Sequence, residues 1–173
     1  MRIGPRFLAV IGLASAVVGV ATTSGPALTV ENSFLERFEG NWSGAGTVMK
    51  DAFPVRVNCN AVGQPGTNRV VVQGNCGIAI VSRRLMADLT FDPASGRYRG
   101  IYVGSKVGPA RLSGRRRGNV IDLTITWPKP VNGDTKATMT VHNDGSGQMR
   151  ISVADNLEPG GPIETTSDIV LGR

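Results

Sequence analysis

"FLERFEGNWSGAGTV", residues 34–48, decides the fold. Its first part is helical in pattern. Asn32 or Ser33 can cap a helix, and Glu36 stands three residues after Ser33, the spacing of a capping box. Phe34, Leu35 and Phe38 fall on one face, and Gly40 ends the element. This predicts about two turns, enough for a plug and too little for a helical domain. Trp42 then opens a strand of small residues, Gly44 and Gly46 among them.

Everything after Gly40 reads as strand. Apolar residues alternate, and turn residues recur every 8–12 positions or so. The pattern predicts strands at 42–50, 54–61, 69–82, 85–92, 97–104, 109–115, 119–127, 135–143, 147–155 and 164–171. Three hairpins fix a register. Around "DPASGR", Phe91 opposes Tyr98, Leu89 opposes Gly100 and Ala87 opposes Tyr102, all on one face. Around "HNDGSGQ", Asn143 opposes Gly147, so Val141 meets Met149 and Met139 meets Ile151. Around "GQPGTN", Cys59 faces Cys76, Ala61 faces Gly74, Val57 faces Ile78 and Val55 faces Ile80. Ile121, Leu123, Ile125 and Trp127 continue the apolar alternation. An antiparallel sheet of about ten strands with one apolar face must curl or split to bury it. Short sequential hairpins favour an all-β, up-and-down barrel over a Greek-key sandwich, the alternative.

The amino-terminal residues have a different character. Arg2 and Arg6 precede an uncharged, mostly apolar run from Phe7 to Ala21. That is short for a membrane span, which needs about 20 apolar residues. A basic start, an apolar core and a small-residue exit predict a secretory signal. Cleavage is expected after Ala21, with Gly25-Pro26-Ala27 a second option. The expected organisation is signal 1–21, a flexible segment 22–30 and one barrel domain 31–173. The expected address is secreted, in the periplasm, with no transmembrane segment after cleavage. Two cysteines and no Cys-x-x-Cys fit a single disulfide in such a compartment.

The chain carries a formal net charge of +6. Nine basic residues lie between Arg83 and Arg117 against Asp88 and Asp92, so that segment holds +7. Arg97, Arg99, Arg111, Arg115, Arg116 and Arg117 make a candidate basic patch for an anionic envelope surface. Nucleic acid is not expected, because the address removes it and aromatic interleaving is sparse. Enzymatic readings find little. The sole histidine, His142, has no serine elbow beside it, and the acidic residues are isolated on strands or sit at turns. No His/Cys/Asp cluster suits a metal, and no cofactor is expected.

Short helix, then Gly40-x-Trp42 at the start of the first strand, resembles the calycin superfamily of lipocalins, fatty-acid-binding proteins and nitrobindin-like barrels. The whole chain is also similar to small secreted bacterial barrel proteins. The resemblance implies that Trp42 closes one barrel end, beneath a cation such as Arg173 or Arg150. A nitrobindin-like member would hold haem through a histidine, but the register puts His142 on the polar face. The expected function is non-catalytic binding of a small apolar or amphipathic ligand by inward residues Leu89, Phe91, Tyr98, Tyr102, Leu123, Ile125, Trp127, Met139 and Met149. The alternative is an envelope protein that touches an anionic surface through the basic segment.

Overall fold

Ten strands make up most of the chain that the computed structural model describes, residues 25–173. Helix α1 spans Pro26–Leu35 and runs into a 3₁₀ turn, Glu36–Phe38. The strands are β1 (Gly40–Lys50), β2 (Phe53–Gly66), β3 (Arg69–Ile78), β4 (Val81–Asp92), β5 (Arg97–Val103), β6 (Ala110–Arg117), β7 (Val120–Val131), β8 (Asp134–Asn143), β9 (Gln148–Asn156) and β10 (Ile163–Gly172). Each pairs antiparallel with the next, and β10 pairs with β1 to close the barrel. The alternation that suggested a barrel therefore buries one continuous inner face. Closure also removes the free edges that an open sheet would present. The signal-like residues 1–21 lie outside the described part of the chain.

The inner face is apolar and the outer face polar. Trp42, Val57, Val70, Leu89, Tyr98, Leu112, Ile125, Met139, Met149 and Leu171 are buried. The Thr, Asn, Arg and Asp residues that alternate with the inner-face residues face outward. A membrane-spanning barrel needs the opposite, an apolar outward band. No helix among the described residues is long and apolar enough to cross a membrane.

The Phe91–Tyr98 hairpin has the register read from sequence, with Leu89 opposite Gly100 and Ala87 opposite Tyr102. Cys59 and Cys76 also pair directly and are joined by a disulfide, with Ala61 opposite Gly74. The bridge spans 17 residues. In the chain-entropy account, closing a loop of that size contributes about 3 kcal/mol.

Three expectations are corrected. First, the helix begins at Pro26, in the segment read as flexible. Proline at the first helical position is already set to the helical φ and lacks only an unneeded N–H. Asn32 and Ser33 are inside the helix, and Asn32 Oδ1 instead accepts the backbone N–H of Asn68 at 2.8 Å. Second, the ladder between β2 and β3 ends at Asn58–Gly77, so Val57–Ile78 and Val55–Ile80 do not pair. The chain turns at Ala79 and Ile80, with Ala79 at φ 41°. Third, Asn143 opposes Met149, Val141 opposes Ile151 and Met139 opposes Val153, a shift of two. The side chain of Asp144 organises the longer turn by accepting N–H bonds from Ser146 and Gln148. Ser146's hydroxyl first, then these N–H groups, hold its carboxyl down at about 2.

Candidate functional site: a plugged barrel with an open mouth

One barrel end is closed by the amino-terminal segment. Phe34, Leu35 and Phe38 are buried there, and the Phe34 and Phe38 rings meet edge-on at 5.5 Å. Trp42 lies beneath them, its Nε1–H donating to the Phe38 carbonyl at 2.9 Å. The Arg173 guanidinium sits 5.2 Å from the Trp42 ring centre and donates to the Glu39 carbonyl. The close fit demands a glycine at 63. A Cβ there would fall 1.7 Å from the Phe38 carbonyl oxygen.

A buried ion pair also fastens the helix. Arg116 donates through two nitrogens to Glu31, at 2.8 and 2.9 Å, and lies 4.6 Å from the Phe34 ring centre. Tyr98 donates its hydroxyl to the same carboxylate. Burial pushes the Glu31 carboxyl up, but the bonds from Arg116 and Tyr98 and the arginine's charge bring it below the ordinary range. Burial and then Glu31 push the Tyr98 hydroxyl up, so it stays a donor. Arg37 adds a donor to Asn119 Oδ1, and Asn143 donates to the Arg37 carbonyl.

Behind the plug is an apolar chamber of about 100 Å³. Phe38 caps it, and Val72, Leu89, Met139, Ile169 and Leu171 are among its walls. The other barrel end holds a mouth of about 470 Å³ walled by Tyr102, Trp127, Val107, Val131 and Asp155. Tyr102, Val153 and Ser167 border both spaces. The Tyr102 and Trp127 rings stand edge to face, 6.4 Å apart. Trp127 Nε1–H donates to Asp155 Oδ2 at 3.0 Å, and the Asn156 N–H donates to Oδ1 at 2.8 Å. Burial pushes the Asp155 carboxyl up despite these bonds. A larger hollow, about 660 Å³, is an open saddle of mixed polar and apolar surface on the outer face of β1–β4, bordered by Asn41, Asn60, Gln73 and Arg84. It cannot desolvate an apolar group as the chamber can.

The expected ligand residues separate into two groups. Leu89, Tyr102, Met139 and Met149 line the chamber, and Trp127 with Tyr102 lines the mouth. Phe91, Tyr98, Leu123 and Ile125 are buried but border neither space. They fill the barrel on the β4–β7 side. Val153, Ile169, Ser167 and Asp155 were missed. Asp155 continues the inward phase of Met149, Ile151 and Val153, which is a readable sign of an inward carboxylate.

The basic patch also divides. Arg99, Arg111 and Arg115 are exposed on the outer face and Arg97 is half-buried. None of the four forms an ion pair among the described residues. Arg117 pairs with Asp122 at 2.7 Å, and Arg116 is turned inward to Glu31. His142 pairs with Val120 and Arg150 across the strands, and its side chain alternates outward, away from Val141. A haem held by an inward imidazole does not fit this wall.

The chain is similar in structure to the crystal structure of Rv2717c from M. tuberculosis, with a TM-score of 0.63 and 16% sequence identity. The superposition covers 86% of this chain and 98% of that one. At that identity the likeness concerns the fold. No protein-family model and no curated protein matches the chain.

Proposed function

We propose that this protein is a secreted, periplasmic binding protein that holds a small amphipathic ligand without transforming it. One observation carries the reading: an apolar chamber, plugged at one end, shares the walls Tyr102, Val153 and Ser167 with a wider, aromatic-walled mouth at the other. Ligand sites are commonly concave, mostly apolar and furnished with a few polar groups. A ligand's short apolar part would enter the chamber, whose walls are almost wholly apolar. Its polar part would remain in the mouth beside Asp155, Ser167 and the Tyr102 hydroxyl. The Cys59–Cys76 bridge supports the extracytoplasmic address, since disulfides persist in oxidising compartments. The barrel is further read as calycin-like, supported by Arg173 over Trp42 where the first strand leaves the plug.

The test is displacement of the fluorophore N-phenylnaphthylamine by decanol from the purified protein. Wild type is expected to bind both. Val153→Trp, which fills the shared wall, is expected to weaken decanol about ten-fold or more, with an overpacking cost of about 1–3 kcal/mol that leaves the fold intact. No fluorophore binding, or equal binding by the variant at an unchanged circular dichroism spectrum, would refute the reading.

A further inference from the structure

The mouth end carries an anomaly that ligand binding alone does not explain. Turns normally use glycine, proline, asparagine, aspartate or serine. The turn between β3 and β4 instead reads Ile78-Ala79-Ile80-Val81. Ile80 is 99% exposed and Val81 66%. On the neighbouring β1–β2 turn, Phe53 is 72% exposed. Both turns lie at the mouth end, because β1 and β3 start at the plugged end and run away from it. Isolated surface apolar residues are ordinary, but apolar residues gathered on adjacent loop tips mark an interaction site.

The charges around these tips identify the partner. Lys50, Arg56, Arg83 and Arg84 are exposed on these strands, against two acidic residues, Asp51 on the β1–β2 turn and Glu164 on the adjoining β10. None of the four cations forms an ion pair among the described residues. Apolar tips ringed by unspent cations are what an anionic bilayer recognises: the apolar groups enter the headgroup boundary while the cations meet the lipid phosphates. Glu158 on the β9–β10 turn and Glu164 at the start of β10 lie on the β10 side of the β1–β2 turn, because β10 pairs with β1, so the cationic part of the rim is the β2–β4 side. The polar outer wall keeps the barrel itself out of the bilayer.

We propose that the barrel docks mouth-down on anionic phospholipid through Phe53, Ile80 and Val81, flanked by Lys50, Arg56, Arg83 and Arg84. The disulfide Cys59–Cys76 joins the two strands that carry these tips and holds them as one edge. This edge is distinct from the outward arginines of β5 and β6. It does not depend on the chamber being occupied.

Co-sedimentation of the purified protein with vesicles tests it. Wild type is expected to sediment with vesicles of equal phosphatidylglycerol and phosphatidylcholine, to stay in solution with phosphatidylcholine alone, and to be released by high salt. The triple variant Phe53→Ser, Ile80→Ser, Val81→Ser is expected to bind about ten-fold less or weaker, and Arg83→Ser with Arg84→Ser to lose most binding. All these side chains are exposed, so the melting temperature should hold. Replacing Arg97, Arg99 and Arg115 by serine should leave sedimentation unchanged. The proposal is overturned if wild type ignores anionic vesicles, if the apolar triple variant binds like wild type, or if only the β5–β6 arginines matter. It is equally overturned if gel filtration shows a dimer that the apolar substitutions dissociate while no vesicle binding occurs.

Discussion

Replacing Trp42 with alanine is expected to remove about 3–5 kcal/mol of stability, the range for truncating a buried aromatic. Three losses combine at this position. The indole is fully buried under the plug, so its removal opens a cavity that β1 and the 3₁₀ turn cannot collapse to fill. The Phe38 carbonyl loses its indole donor. Arg173 loses the ring it lies over, though it keeps the Glu39 carbonyl. Trp42→Phe should recover most of the packing and little of the hydrogen bond, with a loss of about 1–2 kcal/mol. Urea denaturation followed by far-ultraviolet circular dichroism measures both. Equal losses from Phe and Ala would show that the donor bond, not the ring volume, holds this end.

Arg116→Ala is the second large effect, expected to cost about 3 kcal/mol at neutral pH. Glu31 and Arg116 side chains are 8% and 19% exposed, so solvent screens the pair little. Without the arginine, a buried carboxylate keeps only the Tyr98 hydroxyl. The pH dependence gives the loss a signature. In wild type the folded-state Glu31 carboxyl lies below its ordinary range, so its contribution is present above that range and lost as pH falls through the folded value. In Arg116→Ala burial acts unopposed by the cation and raises the carboxyl. That variant is therefore worst at neutral pH and recovers as Glu31 takes up a proton. The gap between the two proteins should shrink on acidification, whereas a simple packing loss would not change with pH. Glu31→Gln combined with Arg116→Ala should cost less than Arg116→Ala alone.

These two sites also show what was legible beforehand. The Phe34 and Phe38 plug and the curled sheet follow from local pattern, namely alternation of period two, turn chemistry and one short helix, whereas the Trp42 floor was implied by the resemblance that Gly40-x-Trp42 carries. The disulfide followed because one register satisfied both cysteines and the neighbouring inner-face residues. Arg116 was harder. It continues the inward phase of Ala110, Leu112 and Gly114, but it stands within a run of three arginines that reads as a solvated turn. Its partner Glu31 is 85 residues away, and no local rule reports such a pairing.

The register of β8 and β9 was missed for a different reason. A shift of two leaves every side chain on its original face, so hydrophobic alternation cannot detect it. Only the Asp144 turn distinguishes the two registers. Ile80 misled by the same alternation. Ile78, Ile80 and Ser82 extend the strand pattern of β3, and the turn that interrupts it contains no glycine or proline. The cavity-lining set was half legible, because period two separates inside from outside but not a filled half of a barrel from a hollow half.

The central claim is that the hollow half accepts the apolar part of a ligand that enters through the mouth. A crystal of the protein soaked with a bromine-tipped alkanol reads this out by anomalous diffraction. The account predicts a bromine peak inside the chamber, among Val72, Leu89, Met139 and Ile169, with the hydroxyl toward Tyr102 and Asp155. A bromine peak only on the outer surface, with the chamber empty, would contradict it.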